Sequence, residues 1–211
     1  VWNRGGERPA NIEDLGMPER PCWVGDQGLP LQQQGIKVLG TPLGTDEYVR
    51  SFLAARREAH DVLLQRIPTV PDLQAAWLLL LFCANARSNY LLRALPPSLV
   101  SEFAGSHDDA MLACLQRLLA NEHRVDMQAL HVRRAQLPLR SGGLGLRSAL
   151  RMRAAANWVS RTDTLPLLAA RHVAHIAPML RGDVPATAPS AQEVLNSMMI
   201  PRAEGFDAPS C

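Results

Sequence analysis

The sequence predicts a mainly α-helical protein, a helical bundle preceded by a short β-hairpin or strand segment near the N-terminus. Leucine, alanine and arginine dominate the 211 residues and aromatic residues make up only 5%, a composition that favours helix. Apolar side chains recur at helical spacing after residue 45, whereas residues 1–34 are rich in proline, glycine and acidic residues. The longest apolar run, residues 75–84, is too short to span a membrane and predicts a buried helix.

The N-terminal segment carries the only signals for extended structure. Short extended pieces are predicted around residues 22–24 and over residues 35–40, and residues 41–44 predict a tight turn. We expect residues 1–44 to form one segment with short strands, residues 45–181 to form a helical domain, and residues 182–211 to be a linker and flexible tail.

The helical domain is predicted to contain six helices. The first begins after a cap at Thr45 or Asp46 and ends before Pro68, and Ser98 caps the third. The middle of the second is apolar on every side, which predicts the central helix of the bundle. The helices after the first cover residues 72–95, 98–121, 126–134, 146–161 and 164–181, and a further short helix is predicted at 190–199.

Residues 137–149 separate two sets of helices and contain Gly142, Gly143 and Gly145. Three glycines in four residues allow positive φ and a close approach of the backbone to another group. A phosphate-binding loop or a dinucleotide-binding turn is one interpretation, but no buried strand precedes the glycines. We expect a hinge or close-packing corner, with the flanking arginines as the better candidates for contact.

Basic residues concentrate in one part of the chain. Residues 124–161 contain eight arginines and one acidic residue, a local charge of +7, whereas residues 1–30 carry −2. Lys37 is the only lysine among the 22 basic residues, a bias that phosphate contact and a GC-rich gene explain equally well. The positive region favours contact with nucleic acid.

The predicted helix at residues 146–161 carries basic and aromatic side chains on one strip. Such a strip suits tracking of a phosphate backbone and stacking on bases. The alternative is an ordinary solvated face, with Trp158 packed under the arginine stems. The strip comprises Arg147, Arg151, Trp158 and Arg161, and the opposite side, predicted to face the core, comprises Ala149, Met152, Ala156 and Val159.

Two short motifs stand about a hundred residues apart: Gly35-Ile36-Lys37-Val38-Leu39-Gly40-Thr41-Pro42-Leu43-Gly44, and Leu137-Pro138 followed by Gly143-Leu144-Gly145-Leu146. Their order and spacing resemble those of non-LTR (LINE-type) retrotransposon reverse transcriptases. In that family the first motif resembles the hairpin at the base of the palm, and the second falls in the helical thumb or just after it. The resemblance covers roughly residues 20–160. It implies that residues 1–44 are a remnant of the palm and residues 45–181 a thumb-like domain.

The resemblance also implies roles for particular residues. Lys37 and Gly40 would border the primer end, and Arg140, Arg147 and Arg151 would contact phosphates. Polymerases need carboxylates that hold two metal ions. In the family the central pair belongs to a Tyr-x-Asp-Asp hairpin upstream of the first motif, hence before Val1. We therefore expect no catalytic residue, metal site or cofactor in this chain, with Mg²⁺ only in the missing palm.

A similar run of residues, Ser106-His107-Asp108-Asp109, lies inside the third predicted helix rather than at a turn between strands. It also follows the first motif, whereas the family's hairpin precedes it. The sequence predicts a solvated helix face here, and no polymerase activity is expected from this chain alone.

The leading hypothesis is a non-catalytic fragment of a retrotransposon reverse transcriptase that holds template–primer nucleic acid through a basic thumb. The first residue is Val1 rather than methionine, which is why a fragment is expected. The expected partners are an RNA/DNA template–primer duplex and the missing palm and fingers, without a membrane. Four unclustered cysteines and no visible signal peptide predict an intracellular protein, nuclear or cytoplasmic and not secreted. The alternative is a degenerate, free-standing helical domain that binds protein and not nucleic acid.

Overall fold

A computed structural model describes residue 24, residues 28–120 and residues 129–171. The described chain is mainly helical, and a short antiparallel hairpin precedes the helices, as the sequence predicts. The chain divides into two compact units, Val1–Glu58 and Ala59–Cys211. The predicted division after residues 44 and 181 stays a prediction.

The hairpin consists of strand β1, Gly35–Val38, and strand β2, Thr41–Gly44. The strands are antiparallel, with Gly35 opposite Gly44. Leu39 and Gly40 connect them with φ angles of 49° and 89°, the pair of positive values that a tight two-residue hairpin turn requires. The turn thus lies at residues 39–40, and the predicted turn at residues 41–44 is instead the second strand. The extended piece predicted around residues 22–24 lies outside the described residues apart from Val24.

Helix α1, Asp46–Arg66, follows the hairpin directly. The hydroxyl of Thr45 accepts a hydrogen bond from the backbone N–H of Tyr48 at 3.2 Å, so Thr45 caps the helix, as one of the two predicted caps. The buried side chains of α1 follow the predicted helical spacing and include Val49, Leu53 and Leu64. The helix ends where predicted, just before Pro68.

The second helical region changes its winding three times. It consists of helix α2, Leu73–Leu78, a π-helical turn, Leu79–Ala84, a 3-10 turn, Asn85–Ser88, and helix α3, Asn89–Ala94. Asp72 caps α2, since its carboxylate accepts from the N–H of Ala75 at 2.8 Å.

Only one side of this region faces the core. Leu80 and Leu81 are buried, whereas Leu78, Leu79 and Phe82 are exposed. The predicted all-round burial of a central helix is therefore wrong. An unbroken apolar run carries no signal for the side that faces solvent, and the wide π turn sets the orientation of its side chains.

Helix α4 spans Pro97–Leu119 and helix α5 spans Ala129–Gln136. Helix α4 begins one residue before Ser98, and no side chain caps it, so the predicted Ser98 cap is wrong. Proline is well suited to the first helical position because it has no N–H to leave unpaired there.

Helix α6, Ala149–Arg171, replaces the two helices predicted over residues 146–161 and 164–181. It continues through Pro166 and loses one backbone hydrogen bond there. The residues at the predicted break are compatible with helix, because the hydroxyls of Thr162 and Thr164 donate to carbonyls one turn earlier. The predictions for residues 172–211 lie outside the described residues.

The core of the second unit lies between the end of α1, helices α2 and α4, and the segment after α5. Two groups on α4 also fix the end of α1, because the Cys114 thiol and the Arg117 guanidinium both donate to the Leu64 carbonyl, at 3.4 and 3.2 Å. The buried side chains of this core include Leu64, Ile67, Leu80, Met111, Cys114, Leu115 and Leu146.

Helix α6 packs against α3 and α4. Its buried side chains, Ala149, Ala154 and Asn157, are small or polar, while Met152 and Val159 are 38% and 43% exposed. The predicted core-facing side is therefore wrong at both larger residues. The Asn157 amide donates to the carbonyls of Arg93 and Leu95 at the end of α3, at 3.2 and 2.9 Å, and this binding sets the rotation of α6.

Candidate nucleic-acid interface

The glycine segment folds back onto the end of α5. A 3-10 turn, Leu139–Ser141, ends at Gly142, whose φ is 73°. Gly143 packs so closely that a Cβ there would overlap the Leu137 carbonyl oxygen. The N–H of Gly145 donates to that same carbonyl at 2.9 Å. These contacts confirm the predicted close-packing corner and fix the two chain segments that carry Arg140 and Arg147.

The backbone of Arg147 is held by Asn85, a residue that is only 7% exposed. With its amide oriented by the hydrogen-bond network, Asn85 donates to the Arg147 carbonyl and accepts from the Arg147 N–H, both at 3.2 Å. Asn85 ends the π turn, where its own N–H donates to the carbonyl of Leu80 five residues earlier. The wide turn therefore positions the amide that holds Arg147.

Asp108 of α4 caps the N-terminus of α6. Its carboxylate accepts from the Ser148 hydroxyl at 2.7 Å, from the N–H of Ala149 at 2.8 Å and from the N–H of Leu150 at 3.1 Å. Burial raises the pKa of this carboxyl above its usual range, and the three hydrogen bonds oppose that rise. A carboxylate from another helix therefore fixes the point at which α6 begins, two residues after Arg147.

Arg140 and Arg147 line one cavity of about 550 Å³. Its volume lies within the range of roughly 300–1,000 Å³ that is usual for small-molecule sites. Phe82, from the π turn, also lines the cavity and is 66% exposed. Asn89 and Gln136, whose side chains carry amides, also line the cavity, and none of its described lining residues is acidic. The cavity thus combines two cations, an exposed aromatic ring and amides with both donors and acceptors.

The other predicted site residues lie elsewhere. Arg151 is exposed on the first turn of α6, outside the lining of this cavity, and Arg161 is half-buried. Trp158 is half-buried with its indole N–H enclosed and without a hydrogen-bond partner among the described residues. Lys37 is exposed on β1, and Gly40 occupies the hairpin turn; both belong to the other compact unit.

The run at residues 106–109 is not the solvated helix face that the sequence predicted. His107 is 1% exposed and stacks on His60 of α1, with ring centroids 4.8 Å apart and an angle of 15° between the rings. Asp108 is the cap of α6, and Asp109 is the one exposed residue of the run. The two carboxylates therefore have different positions and functions, and Asp108 acts in helix capping.

Comparison of the chain with protein-family models, curated proteins and solved structures finds no match. Within residues 28–120 and 129–171, no cluster of three or more side chains suited to holding a metal ion is found. No helix among the described residues is both long enough and apolar enough to cross a membrane.

Sequence reasoning missed Phe82, Asn85 and Asp108. Phe82 was expected to be buried within an apolar run, and the wide turn that exposes it has no local sequence signature. The pairing of Asn85 with Arg147 and that of Asp108 with α6 join residues that are 62 and about 40 positions apart in the chain. Contacts of that separation depend on helix packing and cannot be derived from residue spacing.

Proposed function

We propose that this chain forms the thumb side of a non-LTR retrotransposon reverse transcriptase and holds template–primer nucleic acid. The observation that carries the proposal is the pair Arg140 and Arg147 at one cavity with no acidic residue among its described lining residues. Two guanidinium groups at a single concave surface suit phosphate oxygens, which arginine binds in a bidentate geometry. Their positions are fixed by the glycine corner and by Asn85, so little ordering would be required on binding.

Binding of this kind would follow the nucleic-acid backbone rather than the base sequence. Arg151, exposed on the first turn of α6, extends the basic surface beyond the cavity. The palm and fingers of the parent polymerase would supply the carboxylates and Mg²⁺ that phosphoryl transfer needs. The protein would act in the nucleus or cytoplasm. This chain would bind the nucleic acid and would not catalyse the phosphoryl transfer.

Titration of a labelled RNA–DNA hybrid duplex with the purified chain at low salt tests this function. We expect binding by the natural chain and a large loss in the triple variant Arg140→Ala, Arg147→Ala and Arg151→Ala. Absence of duplex binding at low salt, or equal binding by the triple variant, would overturn the proposal.

A second candidate function, a helical domain that binds protein, has one observation in its favour. A separate cleft of about 440 Å³ between α2 and α4 is lined almost wholly by apolar side chains, including Trp77, Leu115 and Leu118. Concave apolar surfaces of this kind commonly accept partner side chains. The salt response separates the two functions, because phosphate contacts weaken steeply as salt rises and apolar contacts do not.

A further inference from the structure

The cavity beside the glycine corner has features that a duplex backbone alone would not use. Phe82 and Leu139 both line it, and their side chains are 66% and 52% exposed. An exposed aromatic ring carries an energetic cost that a ligand with a flat face removes by stacking. The two arginines stand at the same cavity, so an anion and a flat apolar group would bind there together.

We propose that this cavity binds one unpaired nucleotide of a nucleic-acid strand, with its base on Phe82 and its phosphate between Arg140 and Arg147. This proposal rests on the proposed function and adds that the site selects unpaired over base-paired nucleotides. The bases of a duplex are stacked inside the helix and cannot enter a concave site, whereas an unpaired nucleotide can be splayed out and stacked on a side chain.

The π turn gives the cavity its shape. The backbone bond from Asn85 to Leu80 spans five residues, one more than in a regular α-helix. Leu80 is fully buried on the core side of this turn, while Phe82 lies at the cavity and Asn85 reaches Arg147. One wide turn therefore supplies both the stacking ring and the support of one phosphate-binding arginine.

The amides of Asn89 and Gln136 complete the site. Each amide can donate and accept hydrogen bonds, and both line the cavity together with the ring of Phe82. Because an amide can bond with the edge of any base, the site would bind an unpaired nucleotide without strong sequence preference. No described lining residue is acidic, so none of them repels the phosphate.

The test compares three labelled ligands by fluorescence anisotropy: a blunt RNA–DNA duplex, the same duplex with a short unpaired tail, and the tail alone. We expect the natural chain to bind the tailed duplex more tightly than the blunt one. In Phe82→Leu the advantage of the tail should fall by about five- to 150-fold, the range for loss of one base–aromatic stack. Phe82→Tyr, which keeps a ring, should retain the advantage.

Tyr90→Leu is the matched control, because Tyr90 is also an exposed aromatic residue on the same helical region but lies outside the lining of the cavity. It should bind all three ligands as the natural chain does. Phe82 is exposed, so its substitution should leave the thermal unfolding transition unchanged, and this measurement confirms that each variant is folded.

The possible results separate this inference from the proposed function. If Phe82→Leu binds the tailed duplex as the natural chain does while the arginine variants lose blunt-duplex binding, the nucleotide site is refuted and the thumb function stands. If no ligand binds at low salt, both are refuted. If a free nucleoside monophosphate binds as tightly as the tail and depends equally on Phe82, the site takes a small ligand and the strand assignment is wrong.

Discussion

Removal of the Asp108 carboxylate tests how the two parts of the candidate site are held together. In Asp108→Ala, the N–H groups of Ala149 and Leu150 and the hydroxyl of Ser148 lose their shared acceptor. Loss of a helix N-cap costs about 0.5–2 kcal/mol. A single hydrogen bond to a charged group is worth about 1.5–3 kcal/mol.

The sum of three such bonds overstates the effect, because the carboxylate loses hydration on burial. Desolvation is the largest influence on Asp108 and raises its pKa, so part of the bonding energy is already offset in the folded protein. We expect the free energy of unfolding of Asp108→Ala to be about 2 kcal/mol lower than that of the natural chain.

Urea unfolding followed by far-UV circular dichroism measures this difference. Asp109→Ala is the matched control, since it removes the same charge from the adjacent position, where the side chain is exposed. The control should change the free energy of unfolding by less than about 0.5 kcal/mol. An equal loss of free energy of unfolding in Asp108→Ala and in the control would refute the capping account.

Three further predictions follow from burial, charge and backbone geometry. The raised pKa of Asp108 means that the folded state binds a proton at this carboxyl more readily than the unfolded state does. The free energy of unfolding of the natural chain, relative to that of Asp108→Asn, should therefore fall as pH rises from about 4 through the folded pKa. A relative free energy of unfolding that rises with pH would contradict this. An alkylating reagent should modify exposed Cys83 rapidly and Cys114 only on unfolding, because Cys114 is buried and burial raises its pKa. Peptide mapping measures the rate of modification of each cysteine, and equal rates would contradict the burial of Cys114. Gly143→Ala should lower the free energy of unfolding by about 1–3 kcal/mol, because its Cβ would overlap a backbone carbonyl. Gly105→Ala should raise the free energy of unfolding by about 0.5–1 kcal/mol, because Gly105 lies in a helix and has open space around it. Equal urea midpoints for the two variants would contradict the packing.

The sequence predicted the elements whose signals are local. Thr45 caps its helix as expected, the hairpin precedes the helical region, and glycines form the corner after α5. Each of these features depends on residues within a few positions of one another. Periodicity and capping chemistry therefore suffice to find them.

The orientation of helices could not be predicted in the same way. On α6 the larger apolar residues Met152 and Val159 face outward, because the Asn157 amide and the small Ala154 pack against neighbouring helices. Size and hydropathy predicted the opposite side. Polar bonds between helices override an apolar stripe that is this weak, and such bonds have no local signature.

The candidate site was predicted in part. Arg140 and Arg147 were selected for their charge and for their place beside the glycines, and the structure brings both to one cavity. Phe82 was missed because a π turn, and not its neighbours in sequence, exposes it. Binding of nucleic acid by these residues stays a prediction.

The dependence of duplex affinity on salt tests the central proposal most directly. Each phosphate contact on B-DNA contributes about −0.9 to the slope of log affinity against log salt, so loss of Arg140 and Arg147 together should make the slope shallower by about 2. The matched control is the pair Arg50→Ala and Arg66→Ala, which removes the same charge from exposed positions on α1. We expect a steep slope in the natural chain and the control pair and a shallower slope in the cavity pair. Equal slopes in all three proteins would contradict the account.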